Sequence, residues 1–240
     1  MSRLRISVII PAYNESRLIG RCLESLTTQS RPLDEIIVIN NNSTDDTVEQ
    51  AERFPGVRVI TEKRQGISYT RTAGYNAANG DIIARVDADT IAHPQWAATI
   101  EKLFLSDPEL GAVTGVSGVA ELSPRNLFWF KWVHNLFRLQ HQYSMGIQPV
   151  LYGFNCALRA STWEKIKSDV SMGDSSINED IDLTICTLKA GVRIKHSHTL
   201  ITKCYFLRSM TFKKMRHYYV TDGRTLYKHR YGNPRRWVKT

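Results

Sequence analysis

Short apolar runs alternate with longer amphipathic stretches along the first half of the chain. Each run is bounded by turn-forming or polar residues and has the length of a buried strand. The predicted strands lie at 6–10, 36–39, 57–60 and 81–86, with a fifth at 112–116.

The stretches between these runs carry helix signals. In the first, Asn14 can cap a helix whose apolar face would consist of Leu18, Ile19, Cys22, Leu23 and Leu26. The second helix opens with Thr44, Asp45 and Asp46, because acids favour a helix N-terminus, and a third runs from 67 to 78. Strands separated by such helices predict an α/β fold with a Rossmann-like, mainly parallel central sheet flanked by helices.

The alternation ends beyond Glu121, where the sequence becomes aromatic, basic and less regular. No internal repeat, low-complexity segment or obvious linker separates the two parts. We therefore predict a single domain over 1–240, with a nucleotide-binding half at 1–120 and an acceptor-binding half at 121–240 that ends in a basic helical tail.

Two acids, Asp87 and Asp89, follow the strand predicted at 81–86. Side chains at the carboxyl end of such a strand point into the crevice where open α/β sheets bind ligands. Carboxylate oxygens suit Mg²⁺ or Mn²⁺, which commonly complete their coordination with substrate phosphates. The motif predicts a metal held between protein and a diphosphate, although an isolated motif of this kind is more often a solvated turn.

Two polar loops follow the first two predicted strands. In the loop at 11–15, Tyr13 can lie against a planar base, and Glu15 offers a group for the base or ribose. In the loop at 40–45, short amide side chains such as Asn40 and Asn42 can contact a base edge. Both loops have a structural alternative, since the same residues make turns and caps.

A third motif, at 65–74, begins with Gln65-Gly66. The glycine lets backbone approach a phosphate at a helix N-terminus, and Arg71 lies one turn further, placed to contact the nucleotide. The chain contains neither G-x-G-x-x-G nor G-x-x-x-x-G-K-[ST], which counts against a dinucleotide oxidoreductase or a P-loop enzyme.

The pair Glu179-Asp180 opens a further predicted helix, after the flexible-looking stretch at 171–176. Backbone amides at a helix N-terminus keep a carboxylate ionised and able to accept a proton. Simple capping is the alternative for these acids. Their combination with Asp87 and Asp89 favours a catalytic role.

The net charge of +9 comes from 32 Lys and Arg against 23 Asp and Glu. From Lys203 onward the only acid is Asp222, so the tail suggests an anionic partner or, equally, a solvated helix face. The four cysteines form no close pair and are expected to be buried thiols in a reducing compartment. We expect no signal peptide and no membrane-spanning helix, because Met1 leads almost directly into a strand and no apolar run is long enough.

The acceptor half offers weaker signals. The aromatic segment at 127–138 can line an acceptor pocket, lie in a membrane interface or belong to the core. His196 and His198 follow a late strand and can supply a third metal ligand, with a structural role as the alternative.

Taken together, the motifs resemble those of the inverting nucleotide-sugar glycosyltransferases of family 2. They span about 5–195 in the order found in that family, and they lie at 8–15, 42–47, 66–74, 87–89, 153–159 and 179–183. The resemblance implies the GT-A fold, a nucleoside-diphosphate sugar donor and a divalent metal. It also implies that Asp87 lies near the nucleotide, that Asp89 binds the metal and that Asp180 is the catalytic base. The family usually has Asp where this chain has Asn40, which leaves the choice between uridine and guanosine donors open.

We therefore interpret the chain as a metal-dependent inverting glycosyltransferase that uses Mg²⁺ or Mn²⁺ and a UDP-sugar in preference to a GDP-sugar. The acceptor is expected to be a sugar hydroxyl or a lipid phosphate, and the location cytoplasmic with peripheral attachment to an anionic membrane; no nucleic-acid partner is expected. Alternatives are a nucleotidyltransferase and a non-catalytic nucleotide- or membrane-binding module. Asp180 and Glu179 are the predicted catalytic residues, and the predicted nucleotide-sugar and metal residues are Pro11, Ala12, Tyr13, Glu15, Asn40, Asn42, Gln65, Gly66, Arg71, Asp87, Ala88 and Asp89.

Overall fold

A computed structural model describes residues 3–122, 131–205, 207–209 and 211–239. The strands are β1 (Ile6–Ala12), β2 (Glu35–Asn40), β3 (Val57–Thr61), β4 (Ile82–Arg85), β5 (Thr90–Ala92), β6 (Leu110–Val119), β7 (Cys156–Arg159) and β8 (Arg193–Cys204). The α-helices are α1 (Ile19–Thr27), α2 (Thr47–Glu52), α3 (Ile67–Ala77), α4 (Trp96–Ser106), α5 (Lys131–Met145), α6 (Ala160–Ile166), α7 (Glu179–Lys189) and α8 (Phe212–His229). Short 3₁₀ turns occur at Ala120–Leu122, Leu207–Ser209 and Pro234–Arg236.

The described strands form one sheet in the order β3-β2-β1-β4-β7-β6-β8-β5. The first four are parallel, as the alternation of strands and helices predicts. The other half is mixed: β7 runs antiparallel to both β4 and β6, and β5 runs antiparallel to β8. The strand predicted at 112–116 is part of β6, but it does not neighbour β4 because β7 lies between them.

Two apolar layers cover the two faces of the sheet. On β1 and β2, Ile10 and Val38 face one layer, which includes the buried residues of α1 and α4, while Ile9 and Ile37 face the other. Both layers arise because successive strand side chains point to opposite faces, so a strand covered on both sides is apolar throughout. A smaller cluster lies under α8, where Leu226 packs with residues of α5 and α7.

A buried amide, Asn155, fills an irregularity between β6 and β8. The register of these two strands shifts between Thr114 and Val116. There the Asn155 amide nitrogen donates to the carbonyl oxygens of Val116 (2.9 Å) and Leu200 (3.0 Å), and its oxygen accepts from the Trp96 indole N–H (2.8 Å). Because every polar atom of this side chain is used, it can be buried without leaving an unpaired group.

The loops after β1 and β2 brace each other, which differs from the predicted cap. Helix α1 begins at Ile19, and Asn14 lies outside it with a φ of 54°. The Asn14 side-chain oxygen accepts from the Thr44 backbone N–H (2.8 Å), and the Glu15 N–H donates to the Thr47 hydroxyl (2.8 Å). Asparagine tolerates this left-handed backbone better than most residues, so it suits a tight loop here.

The four cysteines are buried and unpaired, as predicted. None of the described helices combines the length and the apolar character needed to cross a bilayer. Of the aromatic segment at 127–138, residues 127–130 lie outside the described part of the chain. The rest falls within α5, where 68% of Leu136 is exposed.

Candidate active site

A cleft of about 350 Å³ opens at the carboxyl ends of β1 and β4. Its walls come from both halves of the chain, and the lining residues are Pro11, Ala12, Tyr13, Glu15, Asn41, Gln65, Gly66, Ile67, Thr70, Arg85, Asp87, Ala88, Asp89, Glu179 and Arg208. Most of the predicted site residues are among them. Asn40, Asn42, Arg71 and Asp180 are the predicted residues that do not line this cleft.

The two acids of the loop after β4 differ in their surroundings. Burial raises the pKa of Asp87 to about 6, against the neighbouring Arg85, and the charges of Asp89 and Glu179 raise it further. Burial also raises the pKa of Asp89, against the opposing effect of Arg208. Acids at the end of β4 therefore concentrate negative charge in the cleft, which favours a cation there.

Arg85 connects these acids to the start of α7. Its side chain is buried, and its guanidinium lies 2.9 Å from Asp180 Oδ1, 3.3 Å from Asp87 Oδ1 and 3.5 Å from Glu179 Oε1. A buried guanidinium requires charged or hydrogen-bonding partners. Arg85 was not among the predicted site residues, although an arginine that ends an otherwise apolar strand is a signal for it in the sequence.

Asp180 lies beside Arg85 with both carboxylate oxygens engaged, and 19% of its side chain is exposed. Oδ1 accepts from Arg85, and Oδ2 accepts from the Gly153 backbone N–H at 2.8 Å. Burial raises the pKa of Asp180 to about 7, despite Arg85, and the acids Glu179 and Asp87 add to the rise. The result is a carboxyl group that can exchange a proton near neutral pH.

Arg208 reaches the cleft from the 3₁₀ turn after β8. Its guanidinium lies 2.7 Å from Asp89 Oδ2 and binds both carboxylate oxygens of Glu15, at 2.6 and 2.9 Å. The sequence indicates only that Arg208 belongs to a basic tail. Its position beside Asp89 depends on the pairing of β8 with β5, which brings the end of β8 next to the acid loop.

The asparagines after β2 do not occupy the positions predicted for them. Asn41 lines the cleft, and its amide oxygen accepts from the Gly66 N–H at 2.8 Å. The Asn40 side chain is buried in the turn, where it accepts from the Ser43 N–H at 2.9 Å, and Asn42 donates to the Lys63 carbonyl oxygen at 2.8 Å. The structure thus gives Asn40 and Asn42 turn contacts, and it places Asn41 at the cleft.

Arg71 is fully buried and does not line the cleft, contrary to its predicted placement against the nucleotide. Its guanidinium donates to the backbone oxygens of Glu179 (2.5 Å) and Ser171 (3.3 Å) and lies 4.0 Å from Asp182. One turn into α3, this side chain points into the protein. It ties α3 to the segment that carries the Glu179-Asp180 pair.

The two histidines of β8 lie far from Asp89. His196 pairs in register with Thr114, whereas Thr90, next to Asp89, pairs with Cys204. Because the register of β8 shifts between these pairs, the separation is measured along β6, where Val119, the partner of Cys204, lies five residues after Thr114; this corresponds to about 17 Å at ~3.3 Å per residue. Burial lowers the pKa of His196 to about 4, and its ring contacts that of His198. This position supports the structural alternative.

The residues present fit a hard divalent cation. Asp87 and Asp89 offer carboxylate oxygens, the ligands that Mg²⁺ and Mn²⁺ prefer. The contact of Arg208 with Asp89 shows that this carboxylate is open to a positive group from the cleft side. Burial raises the pKa of both acids, so a bound cation would stabilise their charged forms.

The chain is similar in sequence to known proteins. The family model described as "Glycosyl transferase family 2" matches residues 7–166. The chain is 40% identical over 107 residues to an uncharacterized glycosyltransferase, YibD, of Escherichia coli, covering 43% of this chain and 31% of that protein. It is 28% identical over 216 residues to a probable glycosyltransferase, YdaM, of Bacillus subtilis, covering 82% of this chain and 50% of that protein. The chain thus spans half or less of the length of these curated relatives.

Solved structures also resemble the chain, and two of them are a mannosyltransferase and a glucosyl-3-phosphoglycerate synthase. The mannosyltransferase PcManGT of Pyrobaculum calidifontis, in complex with GDP-Man and Mn²⁺, has a TM-score of 0.67 at 22% identity, with 98% of this chain and 67% of that chain covered. Glucosyl-3-phosphoglycerate synthase of Mycobacterium tuberculosis, in complex with Mn²⁺, UDP-Glc and phosphoglyceric acid, has a TM-score of 0.65 at 22% identity, with coverages of 94% and 79%. The fold is the GT-A fold, and the chain belongs to glycosyl transferase family 2.

Proposed function

We propose that this chain transfers a sugar, with inversion at the anomeric carbon, from a nucleoside-diphosphate sugar to an acceptor hydroxyl or lipid phosphate. The proposal depends on one observation: a single cleft joins the acids Asp87 and Asp89 to Glu179 and, through Arg85, to Asp180. Groups that can bind a metal, contact a leaving diphosphate and accept a proton from the acceptor are therefore close together.

The donor would occupy the side of the cleft formed by the β1 loop and the start of α3. Half of Tyr13 is exposed there, which leaves its ring available to a base, and Gly66 precedes α3 with a φ of 142°. This backbone strongly favours glycine and lets amide groups approach a phosphate. The titles of the two similar structures name GDP-Man and UDP-Glc, which supports a nucleotide-sugar donor; of these bases we propose uridine.

Asp89, with Asp87 beside it, would hold Mn²⁺ or Mg²⁺, and the bound cation would neutralise charge that develops on the leaving diphosphate. The titles of both similar structures name Mn²⁺. Arg208 already contacts Asp89 from the open side of the cleft, so its guanidinium is within reach of a diphosphate at the same place.

Asp180 is the proposed base. As the acceptor oxygen bonds to the anomeric carbon and the bond to the diphosphate breaks, the acceptor proton would pass to the Asp180 carboxylate. A pKa raised to about 7 matches this role, because a base works best near the operating pH. Arg85 and the Gly153 N–H hold the carboxylate in place, and Glu179 lines the cleft where it can hold a substrate hydroxyl.

For location, we propose a cytoplasmic protein attached to the inner face of the plasma membrane through the first two turns of α8. Phe212, Met215 and Tyr219 recur at helical spacing, and their exposed fractions are 85%, 54% and 51%. Exposed basic residues lie between them at 213, 214 and 216. Apolar and cationic side chains on one exposed helix suit a bilayer with anionic headgroups.

Calorimetric titration with UDP, GDP and CDP, each with and without Mn²⁺, tests the donor and the metal together. We expect UDP to bind most tightly and only when Mn²⁺ is present. Equal binding of all three nucleotides, or binding unaffected by Mn²⁺, would contradict the proposed donor site. Release of UDP from UDP-glucose then tests turnover, with water as the simplest acceptor.

A further inference from the structure

A closed ring of hydrogen bonds surrounds the N-terminus of α7. On one side, the Asp180 carboxylate accepts from the Gly153 backbone N–H at 2.8 Å. On the other, the Asp180 backbone N–H donates to the side-chain oxygen of Asn178 at 2.9 Å, and the Ile181 N–H donates to the same oxygen at 3.3 Å. Asn178 is thus the N-cap of α7.

The far side of the ring connects α8 and α5 back to Gly153. The Asn178 amide nitrogen donates to Asp222 Oδ1 at 2.9 Å, and Asp222 Oδ2 lies 2.8 Å from His141 Nε2. His141 Nδ1 lies 3.0 Å from the hydroxyl of Tyr152. Because Tyr152 precedes Gly153, the ring closes through the backbone.

Asp222 determines the orientation of the Asn178 amide. Only 1% of Asp222 is exposed, so its oxygens depend on protein partners. A carboxylate offers acceptors alone, so both neighbours must donate to it. Asn178 therefore turns its NH₂ group toward Asp222, and this leaves its oxygen facing the N–H groups of Asp180 and Ile181.

The same argument orients His141. Its Nε2–H donates to Asp222, and in the neutral imidazole Nδ1 then accepts from the Tyr152 hydroxyl. Tyr152 in turn stacks on Phe154, with ring centroids 5.4 Å apart. The backbone between them, at Gly153, is the part that binds the Asp180 carboxylate.

We propose that Asp222 is a positioning residue for Asp180, acting through Asn178 on the helix side and through His141 and Tyr152 on the carboxylate side. It contacts neither substrate nor metal in this scheme. The inference rests on the proposed role of Asp180 as base. A misplacement of a reacting group by about 1 Å can reduce a rate about 10²-fold, so the ring matters to turnover more than to donor binding.

The test is hydrolysis of UDP-glucose and, in parallel, GDP-mannose with Mn²⁺, measured as released nucleotide. In Asp222→Asn one carboxylate oxygen is replaced by an NH₂ group, which cannot accept a hydrogen bond. The two oxygens that accept from Asn178 and His141 are then no longer both present. Either the Asn178 amide turns over and the cap on Asp180 weakens, or His141 changes tautomer and its hydrogen bond to the Tyr152 hydroxyl reverses direction. We expect kcat to fall about 10²-fold while KM for the donor stays within about twofold.

A double variant that moves the carboxylate from position 222 to position 178 tests whether the lost activity can be restored. In Asn178→Asp combined with Asp222→Asn, the carboxylate at 178 accepts from the Asp180 N–H and also from the amide introduced at 222. The net charge and the number of heavy atoms are those of the wild type. We expect this double variant to recover most of the lost kcat, since the donor and acceptor order of the ring is restored.

Asn178→Gly gives a second way to cut the ring if Asp222→Asn does not fold, because glycine is tolerated at an N-cap. Here too we expect kcat to fall with KM retained. Wild-type kcat in Asp222→Asn or Asn178→Gly would overturn the proposal, as would a double variant as slow as the single one. Asp180→Asn is assayed alongside: if it turns over as fast as the wild type, the proposed base is wrong, which separates that failure from failure of the ring.

Discussion

Asp180 and Glu179 adjoin in the sequence but differ in surroundings, and this difference can be tested. Asp180→Asn keeps the size of the side chain and removes the proton acceptor, so we expect a loss of about 10²–10⁴-fold in turnover with donor binding retained. The measurement is nucleotide release from the donor sugar, beside Mn²⁺-dependent nucleotide binding. Glu179→Gln is the control, with a smaller expected loss. A large loss in Glu179→Gln alone would move the role of base to Glu179.

The decrease of kcat/KM at acidic pH also tests Asp180. The base must be unprotonated to accept a proton, and the pKa of Asp180 is raised to about 7. We therefore expect kcat/KM to rise with pH up to about 7 and to fall about tenfold per unit below it. The slope is read from a plot of kcat/KM for the donor against pH. A profile that stays flat between about pH 5 and 8 would contradict this assignment.

A substitution of Asp89 tests the proposed metal site. Asp89→Ala removes a carboxylate that lies beside Asp87 and contacts Arg208, so we expect Mn²⁺-dependent binding of UDP to be lost while the fold is kept. Binding is measured by calorimetry, and folding by circular dichroism. Asp81→Ala, at the opposite end of β4, is the control and should bind UDP as the wild type does. Retained Mn²⁺-dependent affinity in Asp89→Ala would remove Asp89 from the metal site.

At this scale the sequence predicts the acids well and the basic groups poorly. Asp87, Asp89 and Glu179 end strands or open a helix, so local patterns place them at the cleft. Arg71 also follows a local pattern, yet its side chain turns inward, because a helix position alone does not fix which neighbour a long side chain meets. Arg208 reaches Asp89 only through tertiary pairing, which no local pattern contains.

The elements β6 and β8 meet at a close approach that depends on Gly115. A Cβ added there would lie 2.2 Å from the Leu200 carbonyl oxygen and 2.2 Å from the Asn155 amide nitrogen. We expect Gly115→Ala to destabilise the fold by about 1–3 kcal/mol, the usual cost of overpacking. Gly20→Ala, in α1, is the matched control, because a Cβ there has nothing within 4 Å.

Thermal and denaturant unfolding of both variants give the comparison. The control should be neutral or stabilised by up to about 1 kcal/mol, since alanine forms helix better than glycine. Equal stability of Gly115→Ala and the wild type would mean that the strands separate more easily than the packing around Asn155 indicates.

Element prediction succeeds where periodicity is strong. The apolar runs of β1, β2 and β4 are buried on both faces, and this pattern alone identifies them, whereas β3, at the edge of the sheet, is only partly buried. Strand β5 spans three residues and β7 four, too short for a periodic signal, and their antiparallel pairing depends on distant partners. The antiparallel pairing of β5 with β8 and of β7 with β4 was therefore beyond prediction from local sequence.

For the whole molecule, the net charge of +9 gives a testable attraction to anionic bilayers. Each basic group near such a surface contributes about 1 kcal/mol, and salt screens it. We expect the protein to sediment with vesicles that contain phosphatidylserine at low salt and to be released at high salt. Replacing Lys213, Lys214 and Arg216 by Gln should reduce the partition coefficient for these vesicles at low salt by about 10²-fold.

The control replaces an equal number of exposed basic groups elsewhere, at Arg53, Lys102 and Lys167, and should sediment as the wild type does. Equal loss in both triple variants would show a general effect of net charge. Absence of sedimentation at low salt would favour a soluble acceptor and a solvated surface.

The pairing of β5 with β8 also has a consequence for how the chain is made. Thr90 and Ala92, just after the acid loop, find their strand partners in Cys204 and Thr202, more than a hundred residues later. At ~5–20 residues per second, the ribosome needs roughly 5 to 20 s to synthesise that interval. The loop that carries Asp87 and Asp89 is thus synthesised well before the strand segment that pairs with the residues after it. A nascent chain can complete the parallel strands β1 to β4 before it can form the cleft.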